Sequence, residues 1–339
     1  MASPRIWLLQ GEKAGDNAQM EQVAEALGWP VERRHLAMQE AWRFGKPRVR
    51  PSLAHVDLAH SDTLAPPWPD GVLTVGRRMS AAALWIRRKS RGHTKLVLLG
   101  KPRQRQRSFD LVVASAQYRL RHAPNVLRTR LPLMRLDPLQ VERAGVAWQT
   151  RLGHLARPLT ALLVGGPTRA ARLDAAVAQQ LVRACTALPR PVGAQGGSLY
   201  ATTSRRTPPG VIAALETALP ASACLHRWAP ETTDNPYLGL LALADRFVVT
   251  SDSITMMVEV ARLARPLAIF ELPQPASSGL RRFTRGRDLT AVPRQLMASG
   301  HAVPLGAPFP SPTAPPEDEL PKVAERIRAL WPPHGDVRV

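Results

Sequence analysis

Cysteine is nearly absent: Cys185 and Cys224 are the only two in 339 residues, and no C-x-x-C spacing occurs. That excludes a disulfide framework and a cysteine-based zinc site. Long apolar runs are missing as well. The best stretch, residues 238–249, is broken by Asp245 and Arg246, which falls short of the roughly 18–20 apolar residues of a membrane-spanning helix. The opening Met1-Ala2-Ser3-Pro4-Arg5 has no signal-peptide pattern, so a cytoplasmic protein is expected. Tyrosine (three) and phenylalanine (six) are few, and none of the basic runs alternates with aromatics as the stacking surfaces of a nucleic-acid binder do.

Several catalytic patterns are missing too. The fourth residues after Tyr118, Tyr200 and Tyr237 are His122, Ser204 and Leu241, so the Tyr-x-x-x-Lys pair of NAD-dependent epimerases is not there. Neither G-x-G-x-x-G nor G-x-x-x-x-G-K-[ST] occurs, and the nine histidines form no H-E-x-x-H. His55, Asp57 and His60 are close in sequence but fall in an irregular stretch, where solvated side chains are the simpler reading. No bound metal ion and no cofactor are expected.

What the chain has in excess is arginine. The net charge is +20, and six lysines against 40 arginines make up the basic residues. GC-biased coding explains part of such a bias. An anionic partner explains the clusters Arg87-Arg88-Lys89, residues 101–107 with Lys101, Arg103, Arg105 and Arg107, and residues 281–285 with Arg281, Arg282 and Arg285. These could meet acidic lipid at the inner face of the membrane, at about 1 kcal/mol per residue.

The hydrophobic content of 45% allows a large core, and 339 residues suit two domains. Residues 5–9 read as a strand, 10–16 as a Gly-containing loop and 17–27 as a helix ended by Gly28 and Pro30. Strand signals recur at 72–75, 96–99 and 109–114, with a helix at 80–89. This is the alternation of a parallel sheet covered by helices. Residues 37–70, rich in proline, read as a surface excursion. Asp137-Pro138 caps a helix running to about residue 155, where the domain junction is expected. A second α/β series follows, with a strand at 159–164, a helix at 173–188, a strand at 199–202 and a closing unit at 244–270. After a proline-rich tract, residues 317–331 read as a terminal helix that returns to the first domain.

The stretch 244–259 is the most informative. Residues 247–250 form a short β-branched apolar run, Asp252 or Ser253 can cap a helix, and Pro266-Leu267-Ala268-Ile269-Phe270 supplies the next strand. The first-turn N–H groups and the helix dipole, about half a positive charge, favour an anion there. Glu259 follows one to two turns deeper. Two Gly-rich loops stand after strands, Gly11 to Asp16 with Gly15 in the first series and Gly165-Gly166 in the second. Ser204-Arg205-Arg206-Thr207 places adjacent guanidinium groups, suited to paired phosphate bonds, at another strand end. Arg77 and Arg78 follow Gly76 in a similar position, and Asn235-Pro236-Tyr237 opens a helix.

Taken together, Gly11-x-Lys13-Ala14-Gly15-Asp16-Asn17-x-Gln19, Pro66-Pro67-Trp68-Pro69-Asp70, Gly76-Arg77-Arg78, Pro124-Asn125-Val126, Gly165-Gly166, Ser204-Arg205-Arg206-Thr207-Pro208, Asn235-Pro236-Tyr237 and Thr250-x-Asp252-Ser253-x-x-Met256 resemble the bacterial members of the mitochondrial-fission (elongated-mitochondria, ELM) family. That family is similar in turn to GT-B glycosyltransferases. The resemblance implies an α/β fold of two tandem Rossmann-like domains, GT-B-like, with the site in the interdomain cleft. Residues 1–152 would be the acceptor-side domain and 153–339 the nucleotide-sugar-side domain.

A nucleoside-diphosphate sugar is the implied partner, with a lipid-linked acceptor or an anionic membrane surface as the second. Nucleic acid is not expected. By the same resemblance Gly165, Gly166, Ser204, Arg205 and Arg206 meet the diphosphate, Asn235 and Tyr237 border the base, and Ser253 and Thr255 cap the site. Glu259 lies on the ribose. Asp16 is the implied general base or orienting group, beside Gly11, Gly15, Arg77 and Arg78. Two departures from the family pattern stand out: Glu259-Val260 in place of Glu-Ala, and Arg262-Leu263-Ala264-Arg265 in place of a Gly-containing turn. Two other functions share the fold: a non-catalytic interaction or membrane-surface protein, and a non-hydrolysing nucleoside-diphosphate-sugar epimerase.

Overall fold

The computed structural model describes residues 3–42, 50–102, 105–168, 171–189, 196–231, 234–274 and 288–332. The chain divides into two compact units, Met1–Met134 with Asp318–Val339, and Arg135–Glu317. Each unit holds one six-stranded, wholly parallel sheet. The fold is therefore α/β, two parallel sheets in tandem with helices packed on them.

The first sheet is built from β1 (Ile6–Gln10), β2 (Val31–His35), β3 (Gly71–Val75), β4 (Lys95–Leu99), β5 (Leu111–Ser115) and β6 (Val126–Thr129), in the order β2-β1-β3-β4-β5-β6. Its strand direction of winding reverses between β1 and β3, and such a switch point is where open α/β sheets bind ligands. Alternate residues of β1 feed opposite faces. Leu8 joins Met20 and Val23 of α1 (Ala14–Leu27) and Val323 and Ile327 of α9 (Leu320–Arg328). Trp7 and Leu9 join Ala82 and Ile86 of α2 (Gly76–Lys89). Full burial of Val323 and Ile327, worth about 1.5–3 kcal/mol each, anchors the terminal helix in this unit.

Helix α1 begins at Ala14, three residues before the expected start. Lys13 is the N-cap without a side-chain bond, and Gly15 and Asp16 are taken into the first turn. Helix α2 likewise starts at Gly76, so Arg77 and Arg78 sit on its first turn and not in a loop. The excursion keeps no solvated histidine pair: His55 is buried, with Nε2 3.0 Å from the Arg78 carbonyl oxygen, and only His60 is exposed, 2.8 Å from Asp57.

In the second unit the strands are β7 (Leu159–Leu163), β8 (Ser198–Thr202), β9 (Cys224–His226), β10 (Arg246–Thr250), β11 (Leu267–Phe270) and β12 (Val303–Pro304). Their order, β12-β11-β10-β7-β8-β9, is the dinucleotide-fold order, with its switch point between β7 and β10. Helices α4 (Ala175–Thr186) and α5 (Pro209–Ala218) cover one face through Val177, Leu181, Val211 and Leu215. Helix α3 (Pro138–Leu152) is capped by Asp137, which accepts from Leu139 N at 3.0 Å. It belongs to this unit, whereas the sequence placed the junction after it. It packs on α6 (Tyr237–Leu243), where a side chain on Gly239 would collide with Trp148. The βαβ unit closes with α7 (Ile254–Arg262), and α8 (Ala291–Ala298) precedes β12. Among the described residues no helix is long and apolar enough to cross a membrane.

Candidate functional site

At the switch point of the first unit, the loop after β1 and the start of α2 come together. Gly11 and Asn17 close the loop with two bonds: Gly11 N donates to Asn17 Oδ1 at 3.2 Å, and Asn17 Nδ2 donates to Gly11 O at 2.7 Å. A side chain on Gly11 would meet Met79 Cε at 2.9 Å, and one on Gly76 would lie 3.6 Å from Asp16 Oδ2. Asp16 is half-buried and its carboxylate has no hydrogen-bonding or ionic partner among the described residues. The same is true of the Arg77 guanidinium. Gly15 is exposed, with nothing within 4 Å of where a side chain would begin. An acceptor and a cation thus stand uncommitted beside one strand-end turn.

The switch point of the second unit is more tightly made. Asp252 does not cap α7; its side chain turns inward and is fully buried. Oδ2 accepts from Gly166 N at 2.9 Å and from Arg206 Nη2 at 2.6 Å, and Oδ1 accepts from the Thr250 hydroxyl at 2.8 Å. Thr250 Oγ1 in turn accepts from Gly165 N at 2.9 Å. The loop after β8 is tied in by Thr207, whose hydroxyl donates to Gly165 O at 2.5 Å and accepts from Ser204 N at 2.9 Å. The ends of β7, β8 and β10 are therefore knotted around one carboxylate. Charge explains its tolerance of burial: an ionised carboxylate in low dielectric persists only when paired and hydrogen-bonded.

The glycines of this knot are sterically obligatory. A Cβ on Gly165 would lie 2.3 Å from Asp252 Oδ2, and one on Gly166 would lie 2.1 Å from Arg206 O. Their N–H groups, expected to face a diphosphate, are bonded to Thr250 and Asp252. Arg205 is exposed and has no partner among the described residues. Ser204 Oγ accepts from Arg206 N at 3.3 Å. Ser253 is the N-cap of α7 without a side-chain bond, and Thr255 is exposed on the first turn.

The structure also joins Tyr237 and Glu259. The Tyr237 hydroxyl on α6 donates to Glu259 Oε2 on α7. Burial raises the pKa of both groups; the Glu259 charge raises Tyr237 further, while the hydroxyl's bond pulls Glu259 partly back. Asn235 is exposed and its Oδ1 accepts from Tyr237 N at 3.0 Å, which organises the entry to α6. Asp252 and Thr250 are the residues whose roles were not anticipated. Gly-Gly after one switch-point strand and Thr-x-Asp after the other is the signal that could have identified them.

The basic clusters fare differently. Arg87 pairs with Asp110 and donates to the carbonyls of Thr94 and Ser108, and burial lowers its pKa. Arg105 and Arg107 are exposed and without partners among the described residues. Arg103 and residues 281–285 lie outside the described residues. Among those described, no group of three or more His, Cys, Asp or Glu is placed to hold a metal ion.

The family model described as mitochondrial fission ELM1 matches residues 14–331. The mitochondrial fission protein ELM1 of Arabidopsis thaliana is 27% identical over 220 residues, 58% of this chain and 50% of that protein. An uncharacterized protein of Rickettsia prowazekii is 23% identical over 237 residues, 60% of this chain and 65% of that one. The chain thus spans about half to two thirds of the length of these relatives. Among solved structures, a UDP-GlcNAc 2-epimerase from Neisseria meningitidis bound to UDP-GlcNAc aligns with a TM-score of 0.48 at 9% identity, over 96% of this chain and 99% of that one.

Proposed function

The chain belongs to the mitochondrial fission ELM1 family, and from that premise we propose that it binds a nucleoside-diphosphate sugar and transfers the sugar to an acceptor hydroxyl. One observation supports the reading: Gly165, Gly166 and Arg206 meet through Asp252 at the switch point between β7 and β10, the place where an open parallel sheet receives its ligand. Arg205 and the first turn of α7, with Ser253 and Thr255, supply positive charge and donors for the diphosphate. The Tyr237–Glu259 pair supplies hydroxyl and carboxylate oxygens for the nucleoside.

In the transfer, the acceptor oxygen bonds to the anomeric carbon as the bond from that carbon to the diphosphate oxygen breaks, and the nucleoside diphosphate leaves. Asp16 takes the acceptor's proton. Arginine charge and the helix dipole stabilise the leaving diphosphate electrostatically. Calorimetric titration with uridine, thymidine, guanosine and cytidine diphosphates tests the reading. Micromolar to millimolar binding of at least one is expected, and binding of none would overturn it.

Arg105 and Arg107, exposed and without partners among the described residues, favour a second reading, in which the basic surface recruits an anionic membrane or partner and no reaction occurs. Charge reversal of both would then abolish function while Asp16→Ala and Glu259→Ala leave it intact. The transferase reading expects the opposite. The third alternative, a non-hydrolysing epimerase, is separated from both by a product assay lacking any acceptor.

A further inference from the structure

Two adjacent arginines follow β8, and the structure gives them unlike surroundings. Arg206 is held by Asp252 at 2.6 Å and reaches the Gly166 carbonyl at 3.4 Å. Arg205 is exposed and without a partner among the described residues. The anion that this strand-end loop holds is the protein's own. A phosphate seeking the Gly166 N–H would have to displace Asp252 and strand a fully buried carboxylate, which costs more than an exposed phosphate contact returns.

We propose that Arg205 is the arginine that takes the diphosphate, and that Arg206 is a positioning residue whose role is to hold Asp252 and, through it, the ends of β7 and β10. The proposal rests on the diphosphate reading above for its ligand, and on the Asp252 geometry alone for the division of labour. Arg205 offers a guanidinium fork whose five donors are uncommitted, so binding recovers interaction without breaking any. Arg206 already commits Nη2 to Asp252 and Nη1 to the Gly166 carbonyl. Its charge is balanced by Asp252 and adds little further attraction for an anion.

The test uses the 339-residue chain and four variants: Arg205→Lys, Arg206→Lys, Asp252→Asn and the double variant Arg206→Lys/Asp252→Asn. Arg183→Lys, on the exposed surface of α4, serves as the charge-preserving reference. Thermal melting and calorimetric titration with the four nucleoside diphosphates are measured on each. Arg205→Lys should melt as the wild type and lose about tenfold in affinity, the loss of one charge-assisted fork. Arg206→Lys and Asp252→Asn should each lower the melting temperature, and the double variant should fall no further than the worse single, because both remove the same bond.

Equal affinity of Arg205→Lys and wild type for a nucleotide that the wild type binds would overturn the assignment of Arg205. An Arg206→Lys variant that loses affinity at unchanged melting temperature would overturn the positioning role. Additive losses of melting temperature in the double variant would do the same. Failure of the wild type to bind any of the four nucleotides would remove the ligand and the reading beneath it, while the melting pattern would still decide the role of Arg206.

Discussion

Alanine at two glycines should act in opposite directions. In Gly166→Ala the new Cβ would lie 2.1 Å from Arg206 O, 2.5 Å from its carbonyl carbon and 2.6 Å from its Cβ. To restore an ordinary carbon–oxygen contact of about 3.3 Å, the Arg206 backbone must withdraw by about 1 Å. That movement opens the 2.6 Å bond to Asp252 or drags Asp252 from the Gly166 N–H. Overpacking costs about 1–3 kcal/mol, and weakening a bond to a charged group adds up to about 1.5 kcal/mol, for a total of about 3 kcal/mol. At about 2–4 °C per kcal/mol for a unit of this size, the melting temperature should fall by roughly 6–12 °C. Gly15→Ala is the counterpart. Its φ is not left-handed and nothing lies within 4 Å, so it should stabilise by about 0.4–1 kcal/mol through the unfolded chain. Calorimetric melts of both variants decide the matter. A Gly166→Ala protein that melts within about 1 °C of wild type, or a Gly15→Ala protein that melts lower, would refute the reasoning.

Three further outcomes are expected. Burial raises the folded pKa of Glu259 above the ordinary 4.5, so ionising it costs native stability; the wild type should lose stability relative to Glu259→Gln as pH rises from about 4.5 through the raised value, with no change in the difference below that window. Urea unfolding across the acid range reads this, and a constant difference would count against it. His55 is shifted the other way, its pKa lowered from 6.5 by burial; its contribution is fully present above 6.5 and fades as pH falls towards the folded value, so His55→Gln should flatten the acid side of the stability profile. Ala264→Gly should stabilise. Ala264 has φ 50° in the turn that ends α7, with Ala264 N bonded to Ala261 O and Arg265 N to Val260 O, the two bonds of a Schellman cap that favours glycine. Relief of the left-handed cost of about 1–2 kcal/mol, less the entropy of a new glycine, leaves about 0.5–1 kcal/mol. A melting temperature below wild type would contradict it.

The central strands were legible because burial on both faces demands an unbroken apolar run, as in residues 96–99 and 159–163. Strands β2, β6 and β9 were not. Each is an edge strand with one neighbour, and Val-Glu-Arg-Arg-His, Val-Leu-Arg-Thr and Cys-Leu-His keep only part of their side chains from solvent. No periodic signal survives there. The start of α1 was misplaced because Asp16 has the composition of an N-cap, whereas it occupies the third helical position, where the dipole also welcomes a carboxylate. The position of the junction was hidden for a related reason: a helix such as α3 announces its cap in sequence but not the unit whose helix it will pack against.

The candidate site was legible in place but not in wiring. Gly165, Gly166 and Arg206 carry the residue types that phosphate recognition uses and were read singly against an external ligand, while Asp252 was read as a helix cap. Their partners are one another, across separations of 40 to 86 residues that no local pattern can express. The Gly-Gly pair illustrates the ambiguity. Glycine after a parallel strand leaves room for whatever approaches the strand end, and a carboxylate from the neighbouring loop fills that room as well as a phosphate does. Which one does so depends on whether the anion's other valences are satisfied inside the fold. For Asp252 they are, by Thr250 and Arg206, so this loop is a finished structural element, and affinity for a soluble diphosphate has to come from the groups it leaves uncommitted, of which Arg205 is the nearest in sequence.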